Sequence, residues 1–378
     1  MTHISSQGYC SLDTGIEEPL AYAYSTVFRA PHEGDMERIL AVKLYAIGDL
    51  IMSLPGMLFL RRKNPSSEIH LLTSSLLAPL AGLSAPADRV IAMEDGALKG
   101  GRKGLSLLPL ALRLRRNGYS RGYLMHRILP LRLFMRLACA GERIGQGTRT
   151  AGLSRVEPFE SGQPEHDSQR YARLFGWTGE EELETPLLDL ESIPRPAGMP
   201  AFSGTAPVAL APGGGRSSIR NTNRKRWPQD RFSRLLELLD GEGIPSVVLG
   251  STEDGAFLGE LRSRLPERSL DLVGATTLLD AAWVLSRCRL LITNDSSLMH
   301  IAGLAGTPTL TVFGPTDPKR IGVYPPSAKH VHVLPEGVEC SPCHPARGID
   351  ECPEARCMLS ITVDTVWERA GKMLSGLR

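Results

Sequence analysis

Arg289-Leu-Leu-Ile-Thr-Asn-Asp-Ser-Ser-Leu-Met-His-Ile-Ala-Gly-Leu-Ala-Gly-Thr-Pro-Thr-Leu-Thr-Val-Phe-Gly-Pro-Thr-Asp-Pro318 is the stretch that decides the fold. Residues 290–293 are an apolar run too short for a helix, and Asn294-Asp-Ser296 supplies turn and N-cap residues. A helix is expected over 297–305, stopped by Gly306, with Pro308 opening a β-rich run over 309–313. In a parallel α/β sheet the ligand crevice lies where strand C-termini meet helix N-termini. Free N–H groups and the positive end of the helix dipole favour an anion there, such as a diphosphate. Ser296, Ser297 and His300 lie on that first turn and would face it.

Alternation of strands and helices extends outward in both directions. Upstream, strands are expected at 208–211, 246–249 and 270–273, with helices at 231–240, 256–265 and 278–286. A first series has strands at 38–44, 69–73, 90–93 and 122–126, and helices following residue 49 and at 105–116 and 130–140. Between the two series, residues 192–207 are rich in Pro, Gly and Ala and read as a linker. The expected fold class is therefore α/β, with two Rossmann-like domains of mostly parallel sheet facing across a cleft. The expected boundaries are a mobile leader at 1–35, a first domain at 36–191 and a second at 208–378, which ends in a cysteine-containing tail and a final helix over 363–374.

The totals set limits. A chain of 378 residues exceeds one ordinary core. With 42% hydrophobic and 22% charged residues it has a soluble globular composition, and a net charge of +2 gives no whole-chain attraction to nucleic acid. Its apolar runs are too short and interrupted to span a bilayer. No basic region followed by an apolar core opens the chain, and seven cysteines without such a signal suit a reducing compartment. The expected location is the cytoplasm, with the chain resting on a membrane surface.

The chemistry has to come from loops. No G-x-G-x-x-G follows the first strand, and no Walker A, H-E-x-x-H or Asp-x-Asp pair occurs. A diphosphate would then be held by protein cations and N–H groups. After the strand at 208–211 comes Pro212-Gly-Gly-Gly-Arg-Ser-Ser-Ile-Arg-Asn-Thr-Asn-Arg-Lys-Arg-Trp-Pro228. Gly213 and Gly214 let the backbone approach a ligand, and Arg216, Arg220, Arg224, Lys225 and Arg226 supply charge. Asp49 follows the first strand and reads either as a helix N-cap or as a carboxylate that takes a proton from an attacking hydroxyl. His126, Arg127, Arg132 and Arg136 read either as groups that meet ligand carboxylates or phosphates or as ordinary surface residues of a strand end and helix. Cys340, Cys343, Cys352 and Cys357, with His344 adjacent, have metal-ligand-like spacing; they read as a structural zinc site, a disulfide or reduced thiols packing a loop. His330 and His332 alternate with valines, as exposed strand residues do.

Four motifs in order carry a resemblance. Lys43-Leu-Tyr-Ala-Ile-Gly-Asp-Leu-Ile-Met-Ser-Leu-Pro55 resembles the opening motif of glycosyltransferase family 9, the ADP-heptose:lipopolysaccharide heptosyltransferases. Ala211-Pro-Gly-Gly with Lys225-Arg-Trp-Pro228 resembles the family's phosphate loop, and Thr293 to Ala302 with Phe313-Gly-Pro-Thr-Asp-Pro318 its donor motif. Cys340-Ser-Pro-Cys343 and the run from Cys352 to Met358 resemble a family tail. The likeness runs from about residue 38 to the end. It implies a GT-B fold, an ADP-heptose donor in the second domain, a lipid A–core acceptor of lipopolysaccharide in the first, and inversion without a metal or other cofactor. Carried over by motif, Asp49 is the catalytic base, Lys225 binds donor phosphate, Asp295 contacts sugar hydroxyls, and Ser296, Ser297 and His300 line the pocket. Gly250-Ser-Thr-Glu-Asp254 resembles the turn that holds the ribose, with Glu253 and Asp254 both eligible. Tyr45 departs from the small hydroxyl residue that many relatives carry. Another nucleotide sugar as donor, a non-catalytic nucleotide-sugar-binding protein and an epimerase are the competing readings.

Overall fold

A computed structural model of the chain describes residues 36–94, 107–148, 150–158, 165–199, 202, 204–214, 223–343 and 352–376. The expected leader at 1–35, Arg216, Arg220 and His344 lie outside the described residues. Among these residues the chain forms two compact units. The first takes described residues up to Tyr45 with those of Ser53–Glu160 and Ser168–Pro186; the second takes Ala46–Met52 and those of Ser161–Asp167 and Leu187–Arg378.

The first unit holds β1 (Arg38–Val42), β2 (Glu68–Ser74), β3 (Arg89–Met93), β4 (Arg121–Leu124), β5 (Glu142–Gln146) and β6 (Arg155–Glu157). They form one sheet in the order β3-β2-β1-β4-β5-β6, parallel at every pairing. The helices of this part of the chain are α1 (Ile47–Lys63), α2 (Ala78–Ser84), α3 (Leu108–Arg115), α4 (Leu129–Ala138) and α5 (Asp167–Leu174). Gly56 of α1 lies against α5, where an added Cβ would stand 2.8 Å from the Ala172 Cα.

The second unit holds β7 (Val208–Ala211), β8 (Ser246–Gly250), β9 (Ser269–Val273), β10 (Leu290–Asn294), β11 (Thr309–Val312) and β12 (His330–Val333). Their order is β12-β11-β10-β7-β8-β9, again all parallel. Its helices are α6 (Gln229–Gly241), α7 (Gly259–Arg262), α8 (Leu278–Leu285), α9 (Ser297–Leu304), α10 (Pro318–Ile321), α11 (Arg356–Ser360) and α12 (Val363–Gly376). β7 and β10 are buried along their whole length, as central strands covered on both faces must be. The expected class, α/β with two Rossmann-like sheets, is the one found.

Several local expectations change. The helix expected at 256–265 shrinks to α7, because Ser251 and Asp254 close a capping box around a 3-10 turn and Gly255 and Gly259 weaken helix on either side. β5 and β6 carry charged, short sequences that pattern alone does not mark; pairing with β4 makes them strands. His330 and His332 are half-buried rather than exposed. His330 Nδ1 lies 3.1 Å from the Thr309 hydroxyl, and His332 packs edge-on to Phe313. The final helix buries Val366, Ala370 and Leu374 into the same core as Trp227 and α6, which answers where its apolar stripe goes.

In both sheets the chain starts at a central strand, runs outward, then returns to that strand's other side. The loops after β1 and β4 part at one such reversal, and those after β7 and β10 at the other. Ligands of open α/β sheets bind at these reversals, beyond the strand C-termini.

Candidate functional site

At the reversal of the second sheet the loop after β7 and the turn after β10 are tied by one buried side chain. Asn294 Nδ2 donates to the carbonyls of Pro212 at 2.8 Å and Gly213 at 3.1 Å, while its Oδ1 accepts from the Trp227 N–H at 3.0 Å. Asn294 thus clamps both ends of the basic loop. Only an amide provides two donors and an acceptor in that shape. Asn294→Asp is isosteric but sets a carboxylate against two carbonyls in a site with no exposed surface. It is expected to cost about 3–5 kcal/mol of stability, read by urea unfolding. A change below about 1 kcal/mol would mean that the loop ends are held by something else.

Trp227 anchors the loop exit. It is fully buried, donates from Nε1 to the Ile361 carbonyl at 2.9 Å and meets Phe232 edge-on at 5.1 Å. Arg231 donates to the carbonyls of Met358, Leu359 and Ile361, so the C-terminal tail braces the same corner.

Lys225, two residues before Trp227 where the Asn294 clamp begins, donates to Asp295 Oδ2 at 2.5 Å, and the Thr316 hydroxyl donates to the same oxygen at 2.8 Å. Burial opposes the Asp295 charge, but Lys225, Thr316 and His300 outweigh it and lower its pKa. His300, on the first turns of α9, is buried and neutral: desolvation dominates and pushes its pKa down to about 4 against the pull of Asp295 and Asp49. The ring lies over Gly48, where an added Cβ would stand 2.8 Å from Cδ2 and 3.0 Å from Nε2. Gly48 is therefore glycine for contact with the imidazole.

A folded pKa below the unfolded value of about 6.5 means that His300 contributes stability fully above that pH and loses it as pH falls towards about 4. Between pH 7 and 4.5 the wild type should lose about 2–3 kcal/mol more stability than His300→Gln, followed by denaturant unfolding. Equal losses would show that His300 is not buried neutral.

Asp49 sits in the first turn of α1, inside the helix rather than at its N-cap. The turn is entered through Ala46 at φ 64, a strained conformation for a residue with a Cβ, and Leu50 N–H closes it on the Ala46 carbonyl at 3.0 Å. The segment Ala46–Met52 belongs with the second unit, which is how Asp49 comes to act on His300.

Glu253 and Asp254, equally eligible by sequence, separate here. Asp254 is buried, closes the capping box with Ser251, and accepts from the Gly214 N–H at 3.1 Å and Arg226 Nη2 at 3.2 Å. A Cβ on Gly213 would stand 2.4 Å from its carboxyl carbon, and Gly214 needs φ +92. Asp254 therefore shapes the glycine loop, and Glu253 beside it is exposed. Ser296 is the N-cap of α9 but does not cap it; its Oγ lies 3.0 Å from the Thr293 hydroxyl. Ser297 is half-buried on the same turn.

In the first unit two of the residues expected to meet an acceptor make hydrogen bonds within the fold. His126 Nε2 accepts the Leu44 N–H at 2.8 Å, and burial first, then Lys43, lowers its pKa well below the usual range, so it pins the end of β1 as a neutral ring. Arg132 is buried and donates to the Gln146 carbonyl at 3.2 Å. Arg127 and Arg136 are exposed.

Cys343 N–H donates to the Pro315 carbonyl at 3.0 Å, and a Cβ on Gly314 would stand 3.0 Å from the Cys357 sulfur. Burial chiefly raises the Cys357 pKa, with Cys343, Cys352 and Cys340 contributing. Among the described residues no group of three or more His, Cys, Asp or Glu is arranged to hold a metal ion. Asn294 and Thr316 are the functional residues that sequence reasoning did not assign. Both stood within quoted motifs, but only the fold reveals what they bond.

Two parallel α/β units, one with a basic glycine loop clamped at its strand reversal, define a protein built of two Rossmann-type units. The model for "Glycosyltransferase family 9 (heptosyltransferase)" matches residues 108–348, and the chain belongs to that family. It is 29% identical over 155 residues to lipooligosaccharide heptosyltransferase 2 of Haemophilus influenzae, a match covering 40% of this chain and 44% of that protein. The chain thus spans less than half the length of the curated relatives it matches. The solved E. coli ADP-heptose lps heptosyltransferase II superposes with TM-score 0.70 at 22% identity, over 90% of this chain and 99% of that one. A glycosyl transferase family 9 structure from Veillonella parvula gives 0.72 at 20% identity, over 90% and 98%.

Proposed function

We propose that the chain is an inverting, metal-independent glycosyltransferase that moves a heptose from ADP-heptose to the inner core of lipopolysaccharide. The observation that carries this reading is the Lys225–Asp295–Thr316 group with His300 and Asp49 beside it. In the reaction, Asp49 takes the proton of an acceptor hydroxyl as its oxygen bonds to the anomeric carbon from the face opposite the diphosphate. The bond from that carbon to the phosphate oxygen breaks, and the leaving ADP carries the electron pair. Lys225 and the N–H groups opening α9 meet the growing charge on the phosphate. Neutral His300 adds no competing cation beside Asp49, and Asp295 takes sugar hydroxyls while holding Lys225. The exposed Glu253 is the residue proposed for the ribose, with Asp254 occupied by the loop. Arg127 and Arg136 remain the proposed acceptor contacts.

No metal is assigned to catalysis. The tail cysteines are read as thiols seating the Gly314–Pro315 turn, and metal analysis of chelator-free protein tests the alternative of a structural zinc. The protein is proposed to work at the cytoplasmic face of the inner membrane, and among the described residues no helix is long and apolar enough to cross a membrane.

The test is ADP release from ADP-heptose with and without a lipid A–core acceptor. Release that requires acceptor is expected. Binding without release would make the chain a nucleotide-sugar-binding protein, and sugar isomerisation without acceptor would make it an epimerase. Thermal-shift comparison with UDP-, GDP- and dTDP-sugars identifies the donor; a larger shift with any of these would overturn the ADP assignment.

A further inference from the structure

Helices α3 and α4 pack against each other. They bury Leu110, Ala111 and Leu114 from one, and Leu131, Phe134 and Met135 from the other. Faces turned only to water would be polar. Instead Leu108 (40% exposed), Leu112 (50%), Ile128 (44%), Leu129 (56%), Leu133 (50%) and Leu137 (39%) lie outward, six of the ten exposed large hydrophobics among the described residues. The four-residue spacings 108/112 and 129/133/137 put each set on one stripe of its helix. Arg115 Nη1 donates to the Leu137 carbonyl at 3.2 Å, so the two helices are joined at the end of these stripes.

The charge pattern points to what meets this surface. From Gly96 to Gly141 the sequence has no Asp or Glu but eight arginines and two lysines, in a chain whose net charge is only +2. Arg113, Arg115, Arg116, Arg127 and Arg136 are exposed around the leucine stripes. A nucleic acid would use the arginines and leave the leucines in water. A second copy of the chain would bury the leucines but bring arginine against arginine. An anionic bilayer satisfies both, with leucines entering the acyl boundary and guanidinium groups meeting headgroup phosphates.

We propose that the α3–α4 face docks the protein on an anionic lipid bilayer. This does not rest on the sugar-transfer reading, since vesicle binding is measured without substrate. The full chain should co-sediment with phosphatidylcholine vesicles containing phosphatidylglycerol, and not with phosphatidylcholine alone. Leu112→Ser with Leu133→Ser, both exposed in the fold, should weaken that partition about tenfold or more. Arg113→Gln with Arg116→Gln should weaken it about tenfold and reduce its salt dependence. Turnover of a detergent-dispersed acceptor should be the same in both variants as in the wild type. A wild type that stays in the supernatant, or leucine variants that bind as well as it does, would overturn the proposal. So would a dimer, formed without vesicles, that is lost in the leucine variants. Vesicle binding without turnover of any acceptor would leave docking standing and remove only the transferase reading.

Discussion

Asp49→Asn is expected to lower turnover about 10²–10⁴-fold, the range for loss of a general base, with little change in donor affinity. The substitution keeps shape and size in the first turn of α1, so the helix start and the Gly48–His300 contact should persist. What it removes is the group that accepts the hydroxyl proton. Loss of the carboxylate charge near His300 also removes one influence that raises the imidazole pKa, so the ring stays neutral in the variant. Single-turnover rates with saturating donor separate the step from binding. A variant within about threefold of wild type would take Asp49 out of the reaction, because that is less than 1 kcal/mol of barrier.

Lys225→Ala has two consequences that must be told apart. Asp295 is only 7% exposed and would keep Thr316 but lose its ion partner. An uncompensated buried carboxylate costs about 3–5 kcal/mol unless it takes up a proton, so the Asp295 pKa should rise and stability fall. Separately, the departing diphosphate would lose a fixed cation, worth about 2–4 kcal/mol in the transition state. Adding Asp295→Asn removes the orphaned charge and should restore most of the stability. It should not restore turnover, since neither the cation nor the carboxylate proposed for the sugar returns. Urea unfolding and kcat/KM on the same two proteins make the comparison. Recovery of both quantities together would make Lys225 a structural counter-ion and nothing more.

Much of the site was legible because loops at strand ends announce themselves. The strand at 290–294 and the helix after it could be read from a short apolar run, a polar turn and a stop at Gly306, all local signals. The glycines and cations after β7 could be read in the same way. Which acid would do what could not. Glu253 and Asp254 are neighbours in sequence, yet one is exposed and the other is enclosed by Ser251, Gly214 and Arg226. His126 and Arg132 looked like surface cations on a strand end and a helix. Their use as pins for Leu44 and Gln146 depends on partners 82 and 14 residues away.

By itself, then, the sequence determined the alternation of strand and helix, the class of sheet it builds and the loops where anions could be met, because periodicity and turn chemistry act over a few residues. Tertiary structure alone decided the pairing of Lys225 with Asp295 across 70 residues, the Asn294 clamp on Pro212 and Gly213, and the grouping of Asp49 with His300. Those depend on strand order. A parallel sheet places β7 beside β10 although some eighty residues separate them, and no local pattern encodes which loop ends become neighbours.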